Sequence, residues 1–314
     1  MRRLLSVGTP AGLGSNGALG ITRMVSLAIC IGVGLAFVFS NVISWDLEDM
    51  DAYWNAAVRL RDGLALYPSV PDPGAADVFR YSPWFAWLWI PLTNLPKGAV
   101  QIGWSALLIA SIPVAIGPVL RHRSAAAICL GALTGGLLVK TASTGNVHAL
   151  LIALLVWGAG RRSGPLWIAL AASLKFAPVA YALVSAGRRE WGRAATMLLL
   201  TLVLVAPALL YDMSNYPTDA GGSLSLLSIA GPLPFIGLAA IAALAAFSLA
   251  RTRFAWAAAS VAVLLLIPRL ELYGLTYLLV GLGAGNVVSR PALSGTVMHR
   301  GSYGAVEGDD PTGR

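Results

Sequence analysis

The sequence has few charged residues and almost no cysteine. Only 11% of its 314 residues are charged, whereas 57% are apolar and the mean hydropathy is +0.74. A soluble domain carries about 25% charged residues, so this chain has too few charges to cover a water-facing surface. The two cysteines, Cys30 and Cys129, lie inside apolar segments, so we expect neither a disulfide framework nor a metal site. Motifs for a nucleotide-binding loop or a Ser/His nucleophile are also missing from the sequence.

The sequence does contain repeated apolar runs of about twenty residues, the length of a helix that crosses a bilayer. We therefore predict an all-α, polytopic membrane protein with the lipid bilayer as a partner. The predicted spans are residues 24–44, 99–119, 125–141, 146–160, 194–211, 232–250, 254–267 and 272–288. The first span is expected to be retained, because it lacks the small-x-small cleavage site of a signal peptide.

The net charge of +8 comes largely from arginines grouped between the apolar runs. This pattern is typical of cytoplasmic loops, and it argues against a nucleic-acid partner. With the N-terminus inside, the inner segments hold fifteen of the twenty-two basic residues and the outer segments ten of the fourteen acidic ones. We predict eight full crossings, both termini in the cytoplasm, residues 1–288 as the membrane domain and residues 289–314 as a disordered cytoplasmic tail.

One polar stretch, residues 45–83, interrupts this apolar chain, and we interpret it as the first external loop. It carries seven acidic residues: Asp46, Glu48, Asp49, Asp51, Asp62, Asp72 and Asp77. Apolar residues recur at helical spacing within it, which predicts an amphipathic helix from Met50 to Leu64 at the membrane surface. A solvated loop explains Asp72 and Asp77, but Asp49 and Asp51 lie where the membrane helix meets the amphipathic one.

Two segments do not fit a simple series of crossings. Residues 84–96 are short for a span, and the sequence leaves open whether they cross. Residues 164–187 have arginines at both ends, with Lys175 and Pro178 at the centre, where a helix would break. We predict two half-helices in a re-entrant hairpin with Lys175 near its tip, lining a site; a single kinked span is the alternative.

Several ionisable or polar residues lie in or beside the apolar runs, where they are energetically expensive and therefore functional candidates. They are Lys97, Lys140, Asn146, His148, Lys175, Arg269 and Glu271. Simpler interpretations exist: Lys140 can snorkel to the interface, Arg269 and Glu271 can form a structural pair, and His148 can be a hydrogen-bonded core histidine. All except Lys97 nevertheless fall near external helix ends, facing the acidic loop and its Arg80 and Tyr81. We predict a site on the external face.

Several stretches resemble a known family. They are D-M-D-A-Y-W-N-A-A-V-R-L-R-D-G-L-A-L-Y, F-R-Y-S-P-W-F-A-W-L-W-I-P-L-T-N-L-P, T-G-N-V-H-A-L-L and A-L-A-A-S-L-K-F-A-P, spread over residues 45–275. Together they resemble the GT-C fold glycosyltransferases of family 87, which use polyprenyl-phosphate mannose. Asn146 and His148 stand where that family often has Gln and Asn, so the acceptor contacts can differ.

The resemblance implies inverting transfer of a sugar, mannose in this family, to a cell-envelope glycolipid or polysaccharide acceptor on the external face, without a cofactor. It implies a first-loop aspartate as general base. The family's D-x-x-x-Y aligns on Asp49 and Tyr53, with Asp51 and Asp46 as rivals. The expected phosphate ligands are Lys175, Arg269 and Arg80. The expected sugar or acceptor contacts are Tyr81, Asn146, His148 and Glu271.

Two other classes stay open from the sequence. A transporter or lipid flippase would also explain a broken helix with a central lysine, although it would not explain the acidic loop. A non-catalytic partner of an envelope-assembly enzyme is the third possibility.

Overall fold

The computed structural model describes residues 14–70, 72, 75, 77–216 and 226–288, and this part of the chain is helical without strands. Five of its helices are long and apolar enough to cross a membrane: Gly20–Ile43, Lys97–Leu120, Ala125–Ser143, Trp191–Leu210 and Pro232–Arg251. Large apolar side chains on these helices are exposed rather than buried, as lipid contact requires. The prediction of an all-α, polytopic membrane protein is confirmed at this level.

The described residues contain thirteen α-helices. They are α1 Gly14–Ile43, α2 Glu48–Arg61, α3 Pro83–Trp89, α4 Lys97–Leu120, α5 Ala125–Ser143, α6 His148–Gly158, α7 Gly164–Leu174, α8 Ala182–Gly187, α9 Trp191–Val205, α10 Leu226–Ala230, α11 Pro232–Ser248, α12 Ala255–Leu265 and α13 Leu278–Val288. Single 3₁₀ segments extend several of them: Ile90–Asn94 after α3, Ala177–Tyr181 before α8, Ala206–Leu210 after α9, Leu249–Arg251 after α11 and Leu272–Tyr277 before α13.

The bundle has two chemically different ends. The cavity end contains the turns 44–47, 144–147 and 266–271, and these surround the cavity described below. The arginine end contains the turns 121–124, 159–163, 188–190 and 252–254, and seven arginines lie within these turns. Successive long segments run from one end to the other.

Residues 164–187 fold as two half-helices, as the sequence predicts. Lys175 is extended (φ −138°, ψ 109°) and ends α7, and the 3₁₀ segment leading into α8 starts two residues later. The Arg193 guanidinium at the start of α9 donates to the carbonyl oxygens of Ala159 and Arg161. The start of α7 and the end of α8 therefore share the arginine end, which is the geometry of a hairpin and not of a single kinked span.

The structure also answers the question about residues 84–96. Ser82, just before α3, donates its hydroxyl hydrogen to the Ser173 carbonyl oxygen at 2.6 Å. Lys97, just after the 3₁₀ segment, has its Nζ 2.9 Å from Asp51 Oδ1. Both ends of this short segment thus lie at the cavity end, so it turns back without traversing the bundle.

The amphipathic helix differs from its prediction in bounds and in environment. It spans Glu48–Arg61 rather than Met50–Leu64, because Asp62 caps it and Gly63 takes a positive φ of 71°. Its apolar face packs on protein and not on lipid. Tyr53 is fully buried there, with ring centroids 4.9 to 6.1 Å from those of four other aromatic residues: Tyr81, Phe85, Trp89 and Trp104.

Three predicted spans are shorter than the sequence suggests. α6, α12 and α13 have eleven residues each, or about 16 Å of helix, against about 30 Å for the hydrocarbon core. At the cavity end of these predicted spans, polar turns and a 3₁₀ segment take the place of α-helix. Because these helices stop at the cavity, it lies within the bundle and not on a flat outer surface. The predicted tail, residues 289–314, lies outside the described residues.

Gly145 controls how α2 docks on the turn between α5 and α6. Its φ is +76°, and a Cβ there would lie 2.8 Å from the Met50 Cβ. Its carbonyl oxygen accepts a hydrogen bond from Trp104 Nε1 at 2.8 Å. A side chain would therefore push α2 away from this turn.

We expect Gly145→Ala to lower the free energy of unfolding by at least about 1–2 kcal/mol, the cost of the left-handed conformation alone. Thermal unfolding in detergent measures this. Gly103→Ala, within α4 at a position where a Cβ would meet no atom within 4 Å, is the matched control and should unfold no earlier than wild type. Equal unfolding temperatures for the two variants would contradict the tight contact.

Candidate active site

A cavity of about 620 Å³ occupies the cavity end of the bundle. Its walls come from the start of α2, the loop before α3, the α5–α6 turn, the hairpin tip and the turn between α12 and α13. Its polar lining consists of Asp49, Arg80, Tyr81, Thr144, Asn146, His148, Lys175, Tyr216, Arg269, Glu271, Tyr273 and Tyr277. Eight of the nine residues predicted from the sequence are among them, and Asp51 is the exception.

Asp49 presents its carboxylate to this cavity from the first turn of α2. Its backbone N–H donates to the Thr144 carbonyl oxygen at 2.8 Å, which fixes the helix start against the α5–α6 turn. Burial raises the pKa of the Asp49 carboxyl above its usual range. Hydrogen bonding by Asn146 and Thr144, and the charges of Lys175 and Arg80, oppose this rise without cancelling it.

The rival carboxylates face elsewhere. Asp51 is two residues further along α2, so it projects from a different side of the helix. Its Oδ1 lies 2.9 Å from Lys97 Nζ, and it does not line the cavity. Asp46 is exposed and precedes the helix. Of the three aspartates that the sequence left open, Asp49 is the one that lines the cavity.

Lys175 at the hairpin tip holds its ammonium group inside the cavity. Nζ lies 3.4 Å from Asn146 Oδ1 and 3.5 Å from the Tyr273 hydroxyl, and 4.7 Å from the centre of the Tyr273 ring. Among the described residues, no carboxylate forms a salt bridge with it. An ammonium group surrounded by neutral dipoles in this way is well suited to bind an anion.

His148 is fully buried, and its ring contacts the ammonium group of Lys175. Its Nε2 lies 2.8 Å from the Thr276 hydroxyl oxygen, and its Nδ1 lies 3.5 Å from Lys175 Nζ. The Thr276 hydroxyl donates its single hydrogen to the Tyr273 carbonyl oxygen at 2.7 Å. It must therefore accept from the histidine, which places the hydrogen on Nε2 and leaves the Nδ1 lone pair for the ammonium group. The sequence identified His148 but missed Thr276 and Tyr273, which lie inside an apolar segment.

Two arginines complete the cationic side of the cavity. Arg80 donates to the Ala75 carbonyl oxygen at 2.7 Å, and Arg269 Nε lies 3.3 Å from Glu271 Oε1. Burial lowers the pKa of Arg80, and the nearby charge of Arg269 lowers it further. Because the two like charges repel each other, an anion placed between them would relieve the repulsion.

Tyr81 is oriented by a directed chain of hydrogen bonds. The Val147 N–H donates to the Tyr53 hydroxyl at 3.2 Å, and Tyr53 donates to the Tyr81 hydroxyl at 3.1 Å. The Tyr81 hydrogen is therefore available to a group in the cavity. Tyr67 and Tyr216 hold this loop in place by donating to the carbonyl oxygens of Tyr81 and Arg80.

The fold and the cavity define a multi-pass membrane protein in which a buried carboxylate faces several cations. Residues 79–220 match the family model described as glycosyltransferase family 87. This match agrees with the resemblance found in the sequence, and it supports glycosyltransferase activity for a multi-pass membrane protein. No curated protein and no solved structure matches the chain.

The matched range contains only part of the cavity. It includes Arg80, Tyr81, Asn146, His148 and Lys175, whereas Asp49 and the turn 266–271 lie outside it. The tertiary structure joins these separate parts of the chain around one space.

Proposed function

We propose that the protein transfers a sugar, mannose by the family resemblance, from a polyprenyl-phosphate donor to a hydroxyl group of a cell-envelope glycolipid or polysaccharide. The observation that carries this proposal is the single cavity in which Asp49 faces Lys175, Arg80 and Arg269. Glycosyl transfer from a lipid phosphate needs a base at the acceptor hydroxyl and cations at the leaving phosphate. The cavity offers both.

In this mechanism the Asp49 carboxylate removes the proton of the acceptor hydroxyl, whose oxygen attacks the anomeric carbon. The bond between that carbon and the phosphate oxygen breaks, and the polyprenyl phosphate leaves as an anion with inversion at the sugar. Lys175, Arg80 and Arg269 stabilise the charge that develops on the phosphate. Asn146, Tyr81 and Glu271 contact sugar hydroxyls, whereas the buried His148 acts through Lys175. Asp51, paired with Lys97, has no direct part.

An apolar groove beside the hairpin supports a lipid-linked donor. It has a volume of about 490 Å³ and lies between α8 and α9. Alanines on both helices leave it open, and Leu266 lines both the groove and the catalytic cavity. A hydrocarbon chain attached to a phosphate at Lys175 would find an apolar path here.

The proposal includes an orientation of the protein in the membrane. The positive-inside rule assigns the arginine end to the cytoplasm, so the cavity opens on the external face of the cell membrane. α1, α4, α5, α6, α9, α11, α12 and α13 then make eight crossings, and the hairpin enters and leaves from the cytoplasmic side. Both termini are cytoplasmic, and residues 1–288 form one membrane domain.

The direct test uses the purified protein in proteoliposomes with radiolabelled polyprenyl-phosphate mannose and an alkyl mannoside acceptor. We expect a labelled, elongated acceptor to form. Label that crosses sealed vesicles without forming this product would instead identify a transporter or flippase. If a properly folded protein gives no product and no flux, that result would favour a non-catalytic partner.

The raised pKa of Asp49 predicts an unusual pH dependence. A protonated carboxyl cannot accept a proton, so kcat/KM should fall as the pH drops through this raised pKa, above the usual value of 3.8 for aspartate. The free energy of unfolding should instead rise as the pH drops through this pKa, because protonation removes the cost of a buried carboxylate. Rate and unfolding temperature measured across the same pH series test both. An acid limb at the ordinary aspartate value would contradict the assignment.

Thr276 should matter to transfer although it lies behind the cavity wall. Thr276→Val removes the acceptor for His148 Nε2–H, which frees the imidazole to change tautomer and turn its donor toward the Lys175 ammonium group. We expect kcat/KM to fall about tenfold, the effect of one misplaced hydrogen bond near a charge. Thr276→Ser keeps the hydroxyl and should restore transfer; if it behaves like the valine variant, packing rather than hydrogen bonding is responsible.

A further inference from the structure

A second cavity lies in the first loop, next to the catalytic one. This loop cavity has a volume of about 400 Å³, within the size range of small-ligand sites. α2 forms one wall, the residues around Tyr67 and Phe79 form another, and Asn215 contributes from the segment after α9. The mechanism above gives this space no role.

The loop cavity and the catalytic cavity share one face of α2. Asp49, Ala52, Ala56 and Arg59 follow each other at helical spacings of three and four, so they form one stripe. Asp49 lies in the catalytic cavity, and the other three line the loop cavity. Val78 lines both cavities, and Tyr67 of the loop cavity packs edge-on against Tyr216 of the catalytic one, with ring centroids 5.2 Å apart.

The polar groups of the loop cavity suit a carbohydrate. Asn55 and Asn215 offer amide donors and acceptors, Asp77 offers a carboxylate, and Arg59 offers guanidinium donors. Sugar hydroxyls both donate and accept, so they need such a mixture. Asn55, Asp77 and Asn215 are exposed to water, in contrast to the apolar groove beside α8, so the loop cavity is open to a water-borne chain and not to a lipid tail.

We propose that the loop cavity binds the glycan chain of the acceptor, behind the sugar whose hydroxyl reaches Asp49. This inference rests on the proposed function. Asn55 lies six positions after Asp49 on α2, an axial distance of about 9 Å and thus roughly two sugar rings. The acceptor is therefore an oligosaccharide or longer glycan, and a single sugar leaves the loop cavity empty.

The test compares octyl glycosides of mannose, mannobiose and mannotriose as acceptors for the full-length protein. In wild type we expect kcat/KM to rise about tenfold or more between the monosaccharide and the trisaccharide, the equivalent of one or two added hydrogen bonds. Asn55→Leu and Asp77→Leu should each abolish most of this ratio. Asp62→Asn, at the C-cap of α2 and outside both cavities, is the matched control and should keep it. A full ratio in both leucine variants, or no rise in wild type, would overturn the proposal.

A second measurement separates this inference from the proposed function. Saturation-transfer NMR of mannotriose with the detergent-purified protein reports binding without turnover. Suppose that wild type transfers no sugar but mannotriose receives saturation from it, and that mannotriose receives none from Asn55→Leu. The loop cavity then binds glycan although the transfer reaction fails. If wild type transfers sugar but mannotriose receives no saturation, the loop cavity is not a glycan site.

Discussion

Replacing Asp49 with asparagine is expected to abolish sugar transfer almost completely. The amide has nearly the same shape but cannot accept the proton of the acceptor hydroxyl, and loss of a general base typically lowers kcat by about 10²–10⁴-fold. The hydrogen bond from the Asp49 backbone to Thr144 does not involve the side chain and should survive. Transfer of radiolabelled mannose under single-turnover conditions measures the chemical step.

Stability separates this result from simple misfolding. Because burial raises the pKa of Asp49, the charged carboxylate costs folding free energy at neutral pH, and Asp49→Asn should unfold at a temperature no lower than wild type. Asp51→Asn is the matched control: the same chemical change, two residues away on the same helix, should leave most of the transfer activity. If Asp51→Asn is the inactive variant and Asp49→Asn turns over normally, the assignment of the base is wrong.

Replacing Lys175 with methionine is the second change with a large expected effect. Methionine keeps the length and apolar volume of the side chain but removes the charge that faces the leaving phosphate in the proposed mechanism. Loss of one donor that stabilises a developing anion lowers kcat by about 10²–10³-fold. The phosphate is charged before transfer too, so the affinity for the donor should also fall. Measuring kcat/KM with varied donor, and the acceptor saturating, gives the combined effect.

Lys140→Met is the control for the lysine substitution. Lys140 also lies in an apolar run, but its side chain is exposed and does not line the cavity. We expect its variant to transfer sugar at a rate close to that of wild type. A comparable loss in both variants would mean that the overall charge of this face matters, and not a contact with the phosphate.

The sequence by itself determined the class of fold and identified several of the polar residues that line the cavity. Apolar runs of bilayer length can form only helices in lipid, because each backbone polar group must be satisfied within its own segment. Polar residues interrupting such runs are costly and therefore informative, which is how Lys175, Asn146, His148, Arg269 and Glu271 could be found without a structure.

Only the tertiary structure decided which aspartate faces the cavity and which groups support the cations. Asp49 and Asp51 have the same side chain and nearly the same sequence neighbours. Their difference arises because α2 docks on Gly145 and turns one carboxylate toward the cavity and the other toward Lys97. Thr276, almost a hundred and thirty residues from His148, gave no signal in the sequence. Contacts between distant segments depend on packing geometry, which local patterns of polarity do not encode.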